Sequence, residues 1–214
     1  LANTLKRISS EGKKGFYEGY VAESIENDMK KNGGLITTAD LKNYNPVWRL
    51  PLISNYRGNK VITMGPPSSG GVHIIQMLNV LENYQLNSYV HNSPEYINIL
   101  GEVMKHAYSD RSKYLGDPDF FDVPIKKITS ETYAEEIHQS IKVGISTPSE
   151  DIHPGMFLQQ ESHETTHFSV ADRFGNIVSS TYTLNSTFGS GVVIEGTGIL
   201  MNNEMDDFSS APGI

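Results

Sequence analysis

The sequence predicts an α+β fold, on three observations. Apolar residues recur every three or four positions through much of the first 142 residues, which is the period of a helix. From about residue 165 the period changes to two, that of a strand. Between them, residues 144–164, "GISTPSEDIHPGMFLQQESHE", hold two prolines, two glycines and no sustained period, and read as a loop or linker. Helix-rich sequence followed by strand-rich sequence argues for α+β rather than for alternating βαβ units.

The elements follow in order. In "VAESIENDMKKNGG", Val21, Ile25 and Met29 fall on one helical face, and Gly33 and Gly34 supply the stop. Thr37 or Thr38 is placed to cap a short helix in "TTADLKNY". "VWRLPLISNYRGNKVITM" has β-branched and aromatic residues around the turn-former "RGN", so extended segments are expected there. "GPPSSGG" at 65–71 interrupts the pattern, and Val72, Ile75, Leu78 and Leu81 then form a helical stripe. Ser93 is an N-cap with Pro94 at the first helical position, and Ile97, Leu100, Met104, Ala107 and Arg111 are expected on one face. Tyr133, Ile137 and Ile141 mark another short helix. In "THFSVADRFGNIVSSTYTL", Phe168 and Val170 alternate with polar residues, "RFGN" is a turn, and the chain returns through Ile177, Ser179, Thr181 and Thr183 as a hairpin. A Gly-rich loop, "NSTFGSG", and a short strand, "GILMNN", follow.

Composition excludes several classes. A formal net charge of −8 argues against a nucleic-acid partner, which needs clustered Lys and Arg. The pairs Lys13–Lys14 and Lys30–Lys31 read as solvated helix faces. The absence of cysteine removes disulfides, thiolate metal sites and a cysteine nucleophile. No run approaches the ~18 apolar residues of a membrane span. The first fifteen residues have no apolar core of signal-peptide type, and the chain begins without Met, as a mature product or internal fragment would.

"HETTH" at 163–167 matches the zinc-protease pattern H-E-x-x-H. That pattern needs a helix, where both imidazoles reach one ion. Two central β-branched threonines are poor helix formers. On a strand, His163 and His167 would stand about 13 Å apart at ~3.3 Å per residue, too far to share one zinc. The threonines offer different chemistry. A hydroxyl is a weak nucleophile unless a base lies beside it, and a threonine at the start of a chain has its own α-amine for that purpose. A backbone cut before Thr165, where a linker meets a strand, would create one.

The run "TTHFSVADRFGNIVSSTYTLNSTFGSG" and the later "GTGILMNNEMDDFSSAPG" resemble the gamma-glutamyltranspeptidases, also called glutathione hydrolases, a family of N-terminal-nucleophile hydrolases. "GFYEGYVAESI", "KNGGLITTADLKNY", "GPPSSGGVHIIQMLNVLE" and "AYSDRSKYLGDPDF" are similar to that family's large subunit, so the resemblance spans the chain. It implies part of a four-layer αββα sandwich. It also implies a precursor that cleaves itself at Glu164–Thr165, with 1–164 in the large subunit and 165–214 in the small one. Thr165 would then be the nucleophile that forms a γ-glutamyl acyl-enzyme, released to water or to an amino acid or peptide acceptor. Thr183 would assist Thr165, Asn185 would bind substrate, and Glu204 and Asp207 would hold the substrate's α-amino group. A cationic ammonium suits carboxylate partners. The resemblance implies no cofactor or metal, glutathione as the expected donor, and a periplasmic or extracellular setting. An amide-hydrolysing acylase of the same family is the neighbouring alternative. The family's paired serines, Gly-Gly oxyanion hole and carboxylate-binding arginine have no match here, so a longer protein is expected. "GPPSSGG" lacks the G-K-[ST] ending of a phosphate loop, and its prolines remove two donors, so it reads as a structural turn.

Overall fold

A computed structural model describes residues 1–152 and 166–207. These fall into two compact units, one of residues 1–47 with 166–207 and one of 48–152. Helices dominate before residue 142, and a strand hairpin opens the stretch after 165, giving an α+β fold.

In the first unit, α1 (Ala2–Glu11), α2 (Lys14–Tyr17), α3 (Gly19–Asn32) and α4 (Thr38–Asn43) precede the hairpin β3 (Thr166–Ala171) and β4 (Ile177–Tyr182) and the short pair β5 (Val193–Ile194) and β6 (Ile199–Leu200). α3 buries Val21 and Ile25 as its period demands and ends at Gly33 in the left-handed region. Thr37 caps α4 through a reciprocal box: its hydroxyl accepts from Asp40 N–H, and the Asp40 carboxylate accepts from Thr37 N–H. The buried Ile194 of β5 packs with Val21 and Ile25, against which Met29, Ile199 and Met201 also lie. The Thr4 hydroxyl on α1 donates to the Thr197 carbonyl (2.8 Å), holding the β5–β6 turn. α1 and α2 have no counterpart in the sequence reading. α1 buries only Thr4.

β3 and β4 pair antiparallel from Ala171↔Ile177 to Thr166↔Tyr182. Asp172 closes the turn, its carboxylate accepting from Phe174 N–H, Asn176 N–H and the Asn176 amide. The Asn176 side-chain bond leads the interactions that hold the Asp172 carboxyl below its ordinary range. Phe168, Val170, Ile177 and Val178 are exposed.

In the second unit, β1 (Leu52–Tyr56) and β2 (Asn59–Thr63) form a hairpin around Arg57–Gly58. Both loop residues have positive φ, the primed turn that matches strand twist. α5 (Gly70–Glu82), α6 (Pro94–Tyr114), α7 (Ile125–Ile128) and α8 (Glu131–Ser140) follow. Val80 and Leu81 of α5, Ile99 and Val103 of α6 and Ala134 and Ile137 of α8 form the core, with Tyr84 and Ile141. Gly71 lies so close to the Met64 carbonyl that a Cβ would collide with it, so "GPPSSGG" acts as a turn that seats α5 on β2.

α6 corrects one expectation. Ser93 and Pro94 start it as the sequence indicates. Its buried side is Ile99, Glu102, Val103, Ala107, Ser109 and Asp110, whereas Ile97 and Met104 are 56% and 46% exposed. Ala107 is buried and Leu100 packs on the core as expected, but polar residues that find partners within the protein share the inner face, so apolar period alone misplaces Ile97 and Met104. Gln76 of α5 and Tyr133 of α8 both donate to the buried Asp110 carboxylate, joining three helices. Burial raises the Asp110 carboxyl above its usual range against the pull of those bonds. A second buried acid, Glu102, accepts from Lys105 Nζ (2.7 Å) and Thr147 N–H (3.2 Å). Burial opposes its ionised form, but these bonds outweigh burial and leave the Glu102 carboxyl below its ordinary value.

Two measurements check this description of α6. Ile99→Ala should cost about 2–5 kcal/mol in denaturant unfolding of the complete protein. Met104→Ala should stay within about 0.5 kcal/mol, the range of a surface change. Equal effects would restore the stripe expected from the sequence. The acid limb supplies the second check. A depressed carboxyl stabilises the fold above its unfolded value of about 4.3, and that contribution disappears as pH falls through the folded value. Glu102→Gln should therefore lower the urea midpoint at pH 7, with the gap to the parent closing below pH ~4.

Candidate active site

The candidate residues lie at the open end of the β3–β4 hairpin and in the segment after β6. β4 ends at Tyr182, and Thr183 is the next residue. The Thr183 hydroxyl accepts from Asn185 N–H (2.9 Å), a tight turn that sends the chain out of the strand. Asn185 is buried and has φ 73°, a left-handed conformation that Asn tolerates better than most residues. Its amide donates to the Asn203 carbonyl (3.1 Å).

Asn203 holds the far side of the site. Its N–H donates to the Leu184 carbonyl (3.1 Å). Its side-chain oxygen accepts from Ser186 N–H (3.0 Å). Its amide nitrogen donates to the Ser186 hydroxyl (3.1 Å) and to the Asp206 carboxylate (2.8 Å). The backbone then forms a 3₁₀ turn over Glu204–Asp207, opened by a bond from Glu204 N–H to the Asn202 side chain (3.0 Å). Thr183, Asn185 and Glu204 are thus brought into one cluster by the segments 183–186 and 202–206. Asp207 belongs to the same turn, and its side chain lies outside the described residues, as do Glu164 and Thr165.

The connecting loop is shaped to allow this. Gly189 has φ 52°, and a Cβ there would run into the Met201 carbonyl. The same carbonyl accepts from Ser190 N–H and the Ser190 hydroxyl. The Gly-rich run "TFGSG" therefore lies flat against residues 201–202, and Met201 packs on the core around Ile194. Sequence reasoning missed Asn203, Asn202 and Ser186. The only available signal was the Asn pair preceding the acidic run.

Of "HETTH", the described residues Thr166 and His167 are in β3, a strand where the zinc pattern requires a helix. The His167 ring Nδ1 lies 2.7 Å from the Thr181 hydroxyl across the hairpin. His163 and Glu164 lie outside the described residues. Among the described residues no three His, Asp or Glu side chains gather as a metal site, and no helix is long and apolar enough to cross a membrane.

Comparison with known proteins fits this arrangement. A cephalosporin acylase structure from Bacillus halodurans superposes on 99% of this chain and 38% of its own, with TM-score 0.79 and 29% identity. The gamma-glutamyltranspeptidase structure of Helicobacter pylori matches 76% of this chain and 46% of its own, with TM-score 0.69 and 50% identity. The fold is thus that of the N-terminal-nucleophile hydrolases of the transpeptidase and acylase type. The family model for gamma-glutamyltranspeptidase matches residues 1–214, and the chain belongs to that family. It is 50% identical over 214 residues to the glutathione hydrolase proenzyme of Escherichia coli (strain K12), aligning along all of this chain and 37% of that protein.

The cluster's dependence on Asn203 is testable. Asn203→Ala leaves the part-buried Ser186 N–H without its acceptor and removes the exposed bond to Asp206. It should cost about 1–3 kcal/mol in thermal or urea unfolding of the complete protein. Asn202→Ala, which removes one exposed bond, should cost less than about 1 kcal/mol.

Proposed function

We propose that the protein carrying this chain is a gamma-glutamyltransferase and glutathione hydrolase that matures by cutting itself at Glu164–Thr165. The observation that carries the proposal is that Asn203 ties the segment holding Thr183 and Asn185 to the one holding Glu204, at the open end of a hairpin whose first described residue, Thr166, follows Thr165 in sequence. The 50% identity to a glutathione hydrolase proenzyme supports the same reading.

In maturation, the Thr165 hydroxyl attacks the Glu164 carbonyl and the peptide nitrogen leaves as the new α-amine. This gives an ester that water hydrolyses to free Glu164 as a carboxylate. The freed α-amine then serves as the base for Thr165. In turnover, Thr165 attacks the γ-glutamyl carbonyl, the amine of the donor leaves, and an acyl-enzyme ester forms. Water or the amine of an acceptor attacks that ester and returns the proton. Thr183 polarises the Thr165 hydroxyl. Asn185 orients the donor, and Glu204 with Asp207 binds its α-ammonium, a charge-assisted contact that selects α-amino acid substrates. The two subunits remain partners as products of one precursor, residues up to 164 in the large one and from 165 in the small one. A periplasmic or extracellular enzyme matches this family reading.

A second reading has its own support. The cephalosporin acylase fits 99% of this chain, so hydrolysis of another amide by the same nucleophile is the alternative. Side-by-side assay on γ-glutamyl and acyl amides decides: Glu204→Gln should raise KM for a γ-glutamyl donor at least tenfold. An unchanged KM together with turnover of acyl amides favours the acylase.

The adjacent threonines give the sharpest test. Thr165→Ala should leave one uncut, inactive chain. Thr165→Ser should still cut, more slowly. Thr166→Ala should cut nearly as the parent does, because successive strand side chains face opposite ways. Sequencing the small subunit should read Thr-Thr-His-Phe-Ser. Loss of cutting in Thr166→Ala but not in Thr165→Ala would move the nucleophile by one residue.

A further inference from the structure

The turn between β5 and β6 is held by residues far upstream in the chain. Three consecutive backbone groups are engaged. The Glu195 N–H donates to the Asp28 carboxylate (3.4 Å), the Gly196 carbonyl accepts from the Tyr20 hydroxyl (3.3 Å), and the Thr197 carbonyl accepts from the buried Thr4 hydroxyl (2.8 Å). Lys31 adds an exposed ion pair with Glu195 (3.6 Å), worth little alone. Within the turn, Thr197 N–H, Gly198 N–H and the Thr197 hydroxyl all donate to the Ile194 carbonyl. Gly196 and Gly198 have positive φ, and a Cβ would meet the Tyr20 hydroxyl at the first and the Leu1 backbone at the second. Beneath the turn, Ile194 is fully buried against Val21 and Ile25. α1 has one buried side chain, Thr4, and it serves this contact. Recognition is thus of backbone shape, by side chains of α1 and α3.

The holding residues all precede Glu164 and the held ones all follow Thr165. We propose that α1 and α3 of the large subunit are the docking surface for the 195–198 turn of the small one, and that Thr4, Tyr20 and Asp28 are thereby positioning residues for donor binding. The proposal rests on the reading of Glu164–Thr165 as the point of cutting. Before the cut, one continuous chain keeps the turn and its dock at high effective concentration; afterwards contacts such as these hold two chains together. The turn leads directly into the donor-binding segment. β6 follows it, Met201 packs beside Ile194 and its N–H bonds the Val192 carbonyl (2.9 Å), and Asn203 and Glu204 come next. The dock acts on the segment that carries Glu204 rather than on the strand that leads to Thr183. Its loss should therefore weaken donor binding more than it slows the chemistry.

The test uses the complete, matured protein. Thr4→Val removes the hydroxyl and keeps the branched shape, whereas Thr4→Ser keeps the hydroxyl. In Thr4→Val, the amides of residues 195–198 should exchange with deuterium about three- to tenfold faster, the factor that one net hydrogen bond contributes. KM for a γ-glutamyl anilide should rise by a similar factor, with kcat within about twofold of the parent. Thr4→Ser should restore most of both values. The pair Thr4→Val/Tyr20→Phe should move both further and lower the urea concentration at which the two subunits separate on gel filtration. Lys6→Ala, on the exposed side of α1, is the control and should keep parental values. Parental exchange in Thr4→Val and in the pair would overturn the dock, and parental KM in both would overturn the positioning role. Should Thr4→Val fail to fold, Tyr20→Phe and Asp28→Ala, at exposed contacts, decide by the same readouts. Failure of the underlying reading looks different: a parent that runs as one chain on a denaturing gel sinks the cut at Glu164–Thr165, whereas two chains with parental exchange and KM in the variants sink only the dock.

Discussion

The candidate site depends on one amide. Asn203 contributes its backbone N–H, its carbonyl and both ends of its side chain to bonds with Leu184, Asn185, Ser186 and Asp206. A side-chain amide can donate twice and accept twice, and few other side chains satisfy both a backbone N–H and a hydroxyl from one fixed plane. Aspartate at this position would have no donor for Ser186 and would set a carboxylate against Asp206. Two stretches separated by the whole Gly-rich loop are therefore locked in register by a residue with no nucleophilic or acid–base chemistry of its own. The turn over 204–207 and the bend at 183–185 are consequences of that lock, and they bring Thr183 and Glu204 into one cluster.

Lower in the unit, the lock stands on apolar packing. Ile194 is fully buried between Val21 and Ile25, and Met201 packs beside them. The chain from Met201 to Asn203 thus leaves a core position and enters the site within two residues. Gly189 then lies against the Met201 carbonyl, which accepts two bonds from Ser190. In the second unit polar residues do comparable work. Buried Asp110 and Glu102 are costly as charges, and each costs less because several partners converge on it. Gln76, Asp110 and Tyr133 fix how α5, α6 and α8 meet, a specificity that apolar side chains alone leave loose.

These facts explain what could be read in the sequence. Caps and stops were legible because they depend on one or two residues with special chemistry: Thr37, Ser93 with Pro94, and Gly33. The β3–β4 hairpin was legible because strand alternation and the "RFGN" turn are both local. The inner face of α6 was not. Its Glu102, Ser109 and Asp110 look like solvent residues until their partners at Thr147, Ile152, Gln76 and Tyr133 are known, and those lie 34 to 45 positions away except for Tyr133 at 23. α1 was missed for a related reason: its one buried side chain is a threonine that bonds a carbonyl 193 positions distant. In the site, Thr183, Asn185 and Glu204 came from resemblance to a family. Asn203 came from neither pattern nor resemblance, because an amide that bonds backbone leaves no period and no motif.

The same logic bears on where a self-cleaving bond can lie. A nucleophile that uses its own α-amine needs that nitrogen free after the cut. Thr166 is the first described residue of β3, and the proposed nucleophile directly precedes it in sequence. Attack on the preceding carbonyl also requires that the upstream chain approach from a defined direction, since a freely moving acyl group spends little time in reacting geometry. The residues after the proposed break are held by the β3–β4 pairing. That pairing does not include the reacting atoms, so the bond before Thr165 can break while the hairpin and the bends at its open end remain as they were.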